Sequence, residues 1–166
     1  MSRILSVNNL TVHFHTEAGI VRALEDVSFS IEEGEVLGLV GETGCGKSVT
    51  ALSVMGLLPV PPGKILGGTI EFGGRDLLSL NSEEMRALRG KDLAMIFQDP
   101  MSSLNPVFTA GFQVEEAIVA HEPGASGRSL LSRVVGLFKK VNISDPEQSV
   151  QKYPHMLSGG MKQRVM

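Results

Sequence analysis

Residues 41 to 48 read Gly41-Glu42-Thr43-Gly44-Cys45-Gly46-Lys47-Ser48, a glycine, four residues and then Gly-Lys-Ser. That spacing can wrap backbone amides around an anion. Gly41, Gly44 and Gly46 admit conformations closed to residues with a side chain, so successive N–H groups can turn inward on phosphate oxygens. A helix starting at the loop adds its orphan amides and the positive end of its dipole. Lys47 supplies a point charge for the outer phosphates of a triphosphate, and Ser48 a hydroxyl for the Mg²⁺ that travels with it. The candidate cradle is thus Gly41, Glu42, Thr43, Gly44, Cys45, Gly46, Lys47, Ser48 and Val49.

Such a loop needs a strand before it and a helix after it. Residues 35–40, Glu-Val-Leu-Gly-Leu-Val, form an apolar run of strand length, and residues 47–58 read as a helix closed by Pro59 and Pro61-Pro62-Gly63. Upstream, residues 3–7, 11–14 and 27–31 alternate or are β-branched, with a turn at Glu32-Glu33-Gly34. Another strand is expected at 69–72, between the glycine pairs at 67–68 and 73–74. Asn81-Ser82-Glu83-Glu84 is a capping box opening a short helix to Arg89 that Gly90 stops.

Past about Pro100 the pattern turns helical. Leu130, Leu131, Val134, Val135, Leu137, Phe138 and Val141 recur at helical spacing, a stripe read as core, with Arg133, Lys139 and Lys140 facing away. Residues 122–127 are the most linker-like stretch. Ser158 is a natural N-cap ahead of Gly159-Gly160, two residues that let a backbone approach a ligand closely. Taken alone, that triplet is only a capped helix start.

Composition narrows the partners. The 166 residues carry 15 Lys plus Arg against 18 Asp plus Glu, a net charge of −3 without the basic footprint of a nucleic-acid binder. Attraction for a nucleotide must then be local to the loop. Cys45, the one cysteine, can form no internal disulfide, which suits a reducing compartment. A thiol reagent there could block nucleotide, although a small residue that merely fits is the simpler reading. No apolar run reaches the roughly 18 residues that a membrane span needs, and the N-terminus lacks a signal-peptide pattern.

Between the two glycine motifs stands Gln98, after the strand-like Leu93-Ala94-Met95-Ile96-Phe97. Phosphate loop at 41–48, glutamine at 98 and Leu157-Ser158-Gly159-Gly160-Met161 resemble, in that order, the Walker A, Q-loop and signature motifs of the ATP-binding-cassette (ABC) ATPases. Met95-Ile96-Phe97-Gln98-Asp99-Pro100-Met101-Ser102-Ser103-Leu104-Asn105-Pro106, and the run from Tyr153 through Met161-Lys162-Gln163-Arg164, look like the subfamily that drives oligopeptide, dipeptide and nickel importers.

The resemblance implies an α/β fold of the P-loop NTPase class. An N-terminal antiparallel β-subdomain and the first part of the ATP-binding core would occupy 1–99, and part of a helical subdomain 100–166. It implies ATP and Mg²⁺ as ligands, with Ser48 and Gln98 on the metal. Ser158, Gly159 and Gly160 would donate to the γ-phosphate held by a second cassette, facing head to tail. Integral membrane permease subunits would be the other partners, which places the protein at the cytoplasmic face of the membrane as a peripheral subunit. Phe14 stands where the family stacks an aromatic, usually tyrosine, on adenine; equally, it can complete an apolar strand face. Met101, Leu104, Pro106 and Phe108 either form part of a groove for a membrane subunit or fold back onto the helical domain.

The family also needs a Walker B strand ending in Asp, a catalytic Glu after it and a switch histidine, all downstream of the signature helix. The chain holds none of these. Residues 94–99 do not substitute, since glutamine stands where the metal-organising aspartate belongs. A piece of a longer gene product, truncated before Walker B, is the simplest expectation, with weak Mg·ATP binding at most and no turnover by itself. A stable monomer is expected only if something fills the place of the missing strands. Besides a peptide-importer subunit, two readings stand: a nucleotide-binding module that does not hydrolyse, and a soluble ABC-type ATPase of DNA maintenance. The last class carries a coiled-coil insertion and basic surfaces, which this sequence lacks.

Overall fold

The computed structural model describes residues 2–97 and 103–166. It divides into two compact units, Met1–Arg89 and Gly90–Met166. The boundary expected between 99 and 100 lies outside the described residues.

In the first unit, four strands form an antiparallel sheet in the order β2-β1-β3-β4, where β1 is Arg3–Thr16, β2 Gly19–Glu32, β3 Gly63–Phe72 and β4 Arg75–Asp76. The sequence suggested two strands at 3–7 and 11–14; the structure runs them together as β1. Asn8-Asn9 interrupts the alternation without ending the ladder. Val7 faces Phe29 and Leu10 faces Val27 on β2, while Asn8 faces Thr69 and Thr11 faces Gly67 on β3. Three steps along β1 thus answer to two on either neighbour, a bulge with one extra residue. Asn9 sits there at φ 50°, its N–H donating to Ser28 Oγ at 2.8 Å and its side-chain amide to Asp26. The bulge turns Val7, Leu10 and Val12 all into the core, where each is fully buried with Ile70 of β3.

Strand β3 begins six residues before the expected 69–72, because residues 63–65 pair with 12–14 of β1. The run 36–40 forms no strand; Val36 and Val40 are 94% and 97% exposed. Residues 94–97 likewise carry no strand, and Ile96 is exposed. A strand this apolar is built for parallel neighbours on both sides, and the described residues supply none.

Helix α1 is Lys47–Val54, four residues shorter than the sequence suggested. Its stop is Gly56 at φ 59°: Gly56 N–H donates to Ser53 O (3.1 Å) and Leu57 N–H to Leu52 O (2.8 Å), the double closure of a Schellman motif. Helix α2, Ser82–Leu88, opens on the expected capping box. Asn81 Oδ1 accepts from the Glu83 and Glu84 amides, and Glu84 Oε2 accepts from Asn81 N–H at 2.8 Å. Asn81→Ala is expected to lower stability by about 1 kcal/mol, read as a shift of the urea midpoint.

The second unit is helical: α3 Ala110–His121, α4 Gly127–Lys140, α5 Pro146–Ser149 and α6 Gly159–Val165. Its core gathers Ala110, Val134, Phe138, Ile143, Val150 and Leu157. The stripe on α4 is narrower than the sequence suggested. Leu130, Val134 and Phe138, four apart, are buried, whereas Leu131, Leu137 and Val141 at its margins stay about 40% exposed. On the outer face Arg133 grips Glu122 through two bonds of 2.6 and 3.0 Å, holding that carboxyl below its usual range.

Candidate functional site

The phosphate loop packs against β2. Gly46, at φ 91°, closes the loop and caps α1, and a Cβ there would lie 2.6 Å from Leu24 Cδ2 and 2.8 Å from the Ala23 carbonyl. Only a residue without a side chain fits between the loop and this strand. The wall formed by Ala23 and Leu24 was not legible from the motif, which specifies the loop and not what it leans on.

Lys47 opens α1 with its side chain folded back over the loop. Its Nζ donates to the Gly41 and Glu42 carbonyls at 2.7 and 2.6 Å and lies 3.3 Å from Cys45 Sγ, an exposed thiol. The ammonium is therefore held at the centre of the ring formed by residues 41–45. Among the described residues, the loop amides that find a protein acceptor are Cys45 to Glu42 O (3.3 Å) and Thr50 to Gly46 O (2.9 Å). That leaves the amides of Gly44, Gly46, Lys47 and Ser48 for an anion, at the positive end of a helix and beside a cation. Glu42, Thr43 and Ser48 are exposed, with Val49 half-buried at the start of α1.

A hydroxyl next to the phosphate position fits Mg²⁺, which keeps several waters and takes few protein ligands beside a triphosphate. Among the described residues no cluster of His, Cys, Asp or Glu forms a separate metal cage. Gln98 lies outside the described residues. Phe14 is half-buried on β1, facing Val21 of β2 and Gly63 of β3. It stands two residues beyond Val12, which faces Leu24 on β2, the strand against which the loop packs.

The second glycine motif belongs to the other unit. Ser158 caps α6 as its type suggests, Oγ accepting from Met161 N–H at 3.3 Å, which leaves its own proton free to point outward. Gly159 and Gly160 have no left-handed φ, and a Cβ at either would touch nothing closer than Arg164 Nη2 at 3.8 Å. Unlike Gly46, these glycines are not required by any contact among the described residues. Of the expected docking residues, Leu104 is buried at 7% exposure and so folds back. Phe108 stays exposed against Phe112, ring centroids 5.0 Å apart, and Pro106 is exposed; Met101 lies outside the described residues. Gln113 ties this loop down, donating to the Asn105 and Phe108 carbonyls.

A glycine-rich turn of free amides, closed by a lysine and continuing into a helix, defines a P-loop protein of the α/β class. Comparison with known proteins carries this further. Residues 24–166 match the family described as ABC transporter. The chain is 48% identical over 163 residues to a probable peptide ABC transporter ATP-binding protein, y4tR, of Sinorhizobium fredii, covering 98% of this chain and 48% of that protein. It is 47% identical to the dipeptide transport ATP-binding protein DppD of Escherichia coli, covering 98% of this chain and 49% of DppD. The solved dimeric structure of MJ0796, a bacterial ABC transporter cassette, superposes with a TM-score of 0.83 at 26% identity, over 98% of this chain and 66% of that one. A second MJ0796 structure, a post-hydrolysis state bound to ADP and Pi, gives 0.80. The chain belongs to the ABC transporter family, and among its members it is similar to the ATP-binding proteins of peptide and dipeptide transport. It spans about half the length of the curated relatives it matches.

Proposed function

We propose that this chain carries the nucleotide-binding half-site of an ATPase subunit that powers an importer of peptides or related small solutes. The observation that carries the reading is the ring of free amides around Lys47 at the start of α1. In this reading the loop amides and Lys47 hold the β- and γ-phosphates, and Ser48 contributes one oxygen to Mg²⁺. Mg²⁺ held in part by Ser48 would supply positive charge to offset that of the phosphates. Gln98 would reach the same metal or the attacking water.

On the other unit, the Ser158 hydroxyl and the amides of Gly159 and Gly160 would donate to the γ-phosphate of a nucleotide held by a second cassette. The triphosphate would then complete a head-to-tail dimer and its hydrolysis release it. The open space at both glycines supports this assignment, since room that the chain does not need is room for a ligand. Membrane permease subunits would be the further partners, at the cytoplasmic face; no helix among the described residues is long and apolar enough to cross a membrane. Nothing in the charge balance calls for nucleic acid.

The 166-residue polypeptide by itself is a binder without turnover in this reading. Among its described residues no group of three or more His, Cys, Asp or Glu is placed to organise a metal ion. Titration with Mg·ATP, alongside an assay of phosphate release, tests both halves: saturable binding without release is expected, and absence of binding would overturn the assignment. Phe14 adds a finer test. If it stacks on adenine, Phe14→Ala should weaken Mg·ATP binding by about 1 to 3 kcal/mol and Phe14→Tyr should not. Equal affinity for all three proteins would return Phe14 to the strand face.

A further inference from the structure

Helix α1 is held at its far end by a residue that no phosphate-loop motif includes. Arg89, just past α2, is half-buried and lays its guanidinium across the end of α1. Nε donates to the Met55 carbonyl at 2.8 Å and Nη2 to the Gly56 carbonyl at 2.7 Å. These carbonyls follow the Schellman closure, which uses those of Leu52 and Ser53 instead. The fit is close: a Cβ on Gly56 would lie 2.9 Å from Arg89 Nη2 and 3.1 Å from Met85 Cε. The positive φ favours glycine at 56, a methyl there would push the guanidinium aside, and the buried Met85 of α2 backs the contact.

We infer that Arg89 is a positioning residue for the phosphate loop, clamping the C-terminal end of α1 so that its N-terminal amides and Lys47 stay aligned on the phosphates. The inference rests on the nucleotide reading of the loop. Eight residues make a rod about 12 Å long, so a tilt of about 5° at the clamp displaces the loop end by about 1 Å. A shift of that size spoils hydrogen-bond geometry at a charged ligand. The guanidinium also lies at the negative end of the helix dipole, where a cation is favoured. Two forked bonds from one planar group fix direction as well as distance, which a lysine cannot reproduce.

The test compares the parent protein with Arg89→Ala, Arg89→Lys, Gly56→Ala and Lys47→Ala. Mg·ATP affinity is referred to the folded fraction measured by circular dichroism in the same samples, and amide hydrogen exchange is followed along α1. Arg89→Ala is expected to raise Kd about tenfold per folded molecule, with faster exchange reaching the Lys47–Thr50 amides at the opposite end. Arg89→Lys, which keeps charge but not the fork, should fall between it and the parent, and covers the case in which the alanine variant does not fold. Gly56→Ala, which displaces the same guanidinium from the other side, should match Arg89→Ala. If Lys47→Ala loses binding while the folded Arg89 and Gly56 variants keep parental Kd, the clamp is refuted and Arg89 merely packs α2. If Lys47→Ala binds as the parent does, the nucleotide reading of the loop fails, and the clamp as a device of nucleotide binding fails with it.

Discussion

Lys47→Ala is expected to weaken Mg·ATP binding by about 2 to 5 kcal/mol, the range for removing one member of a desolvated charge pair. In the structure the ammonium already sits inside the loop, bonded to the Gly41 and Glu42 carbonyls. It need not be recruited from solvent, so its side-chain entropy is largely spent before a phosphate arrives. Removing it withdraws the charge that offsets the outer phosphates and also frees the two carbonyls that shape residues 41–45. Affinity and loop order should therefore fall together. Calorimetric titration of parent and variant is the measurement, and a Kd within twofold of the parent would show that the loop does not hold a triphosphate.

Gly46→Ala should be as damaging by a different route. The φ of 91° is foreign to an L side chain, a cost of about 1 to 2 kcal/mol. The added methyl would also press on the Ala23 carbonyl at 2.8 Å and Leu24 Cδ2 at 2.6 Å. A backbone carbonyl yields less readily than a side-chain tip, and overpacking of this kind costs a further 1 to 3 kcal/mol, roughly. A total loss of about 2 to 5 kcal/mol would appear as a lower urea midpoint, with nucleotide affinity reduced because the loop must move off β2. Gly159→Ala makes the contrast, since open space there predicts an unchanged midpoint. If Gly46→Ala unfolded at the parent's urea concentration, the packing of the loop on β2 would be wrong.

The phosphate loop, the capping box at Asn81, the helix start at Ser158 and the inward line on α4 were legible in the sequence because each rests on neighbours within a turn or two. The structure brings the cradle residues 41–49 together as the motif suggests, and gives no placement to Gln98. What escaped depends on distant partners. Residues 63–65 became strand by pairing with β1, about fifty positions earlier, and Arg89 meets Met55 and Gly56 across more than thirty. Residues 36–40 show the converse. Their apolar, β-branched pattern is that of a strand, but a strand is made by its neighbours as much as by its own residues.

The extra residue at Asn8-Asn9 has a consequence for how this segment can vary. Side chains along a strand swap faces at every step, so Val7 and Leu10, three positions apart, share the core face only because the bulge absorbs one residue; losing one asparagine would remove the bulge and leave them two apart, still on that face. Exchanging Asn8 for another polar residue leaves the bulge intact. Chemical identity at position 9 is therefore held more tightly than length: φ 50° there suits asparagine, aspartate or glycine and not a β-branched residue, while a one-residue gap that straightens the strand keeps the same inward face.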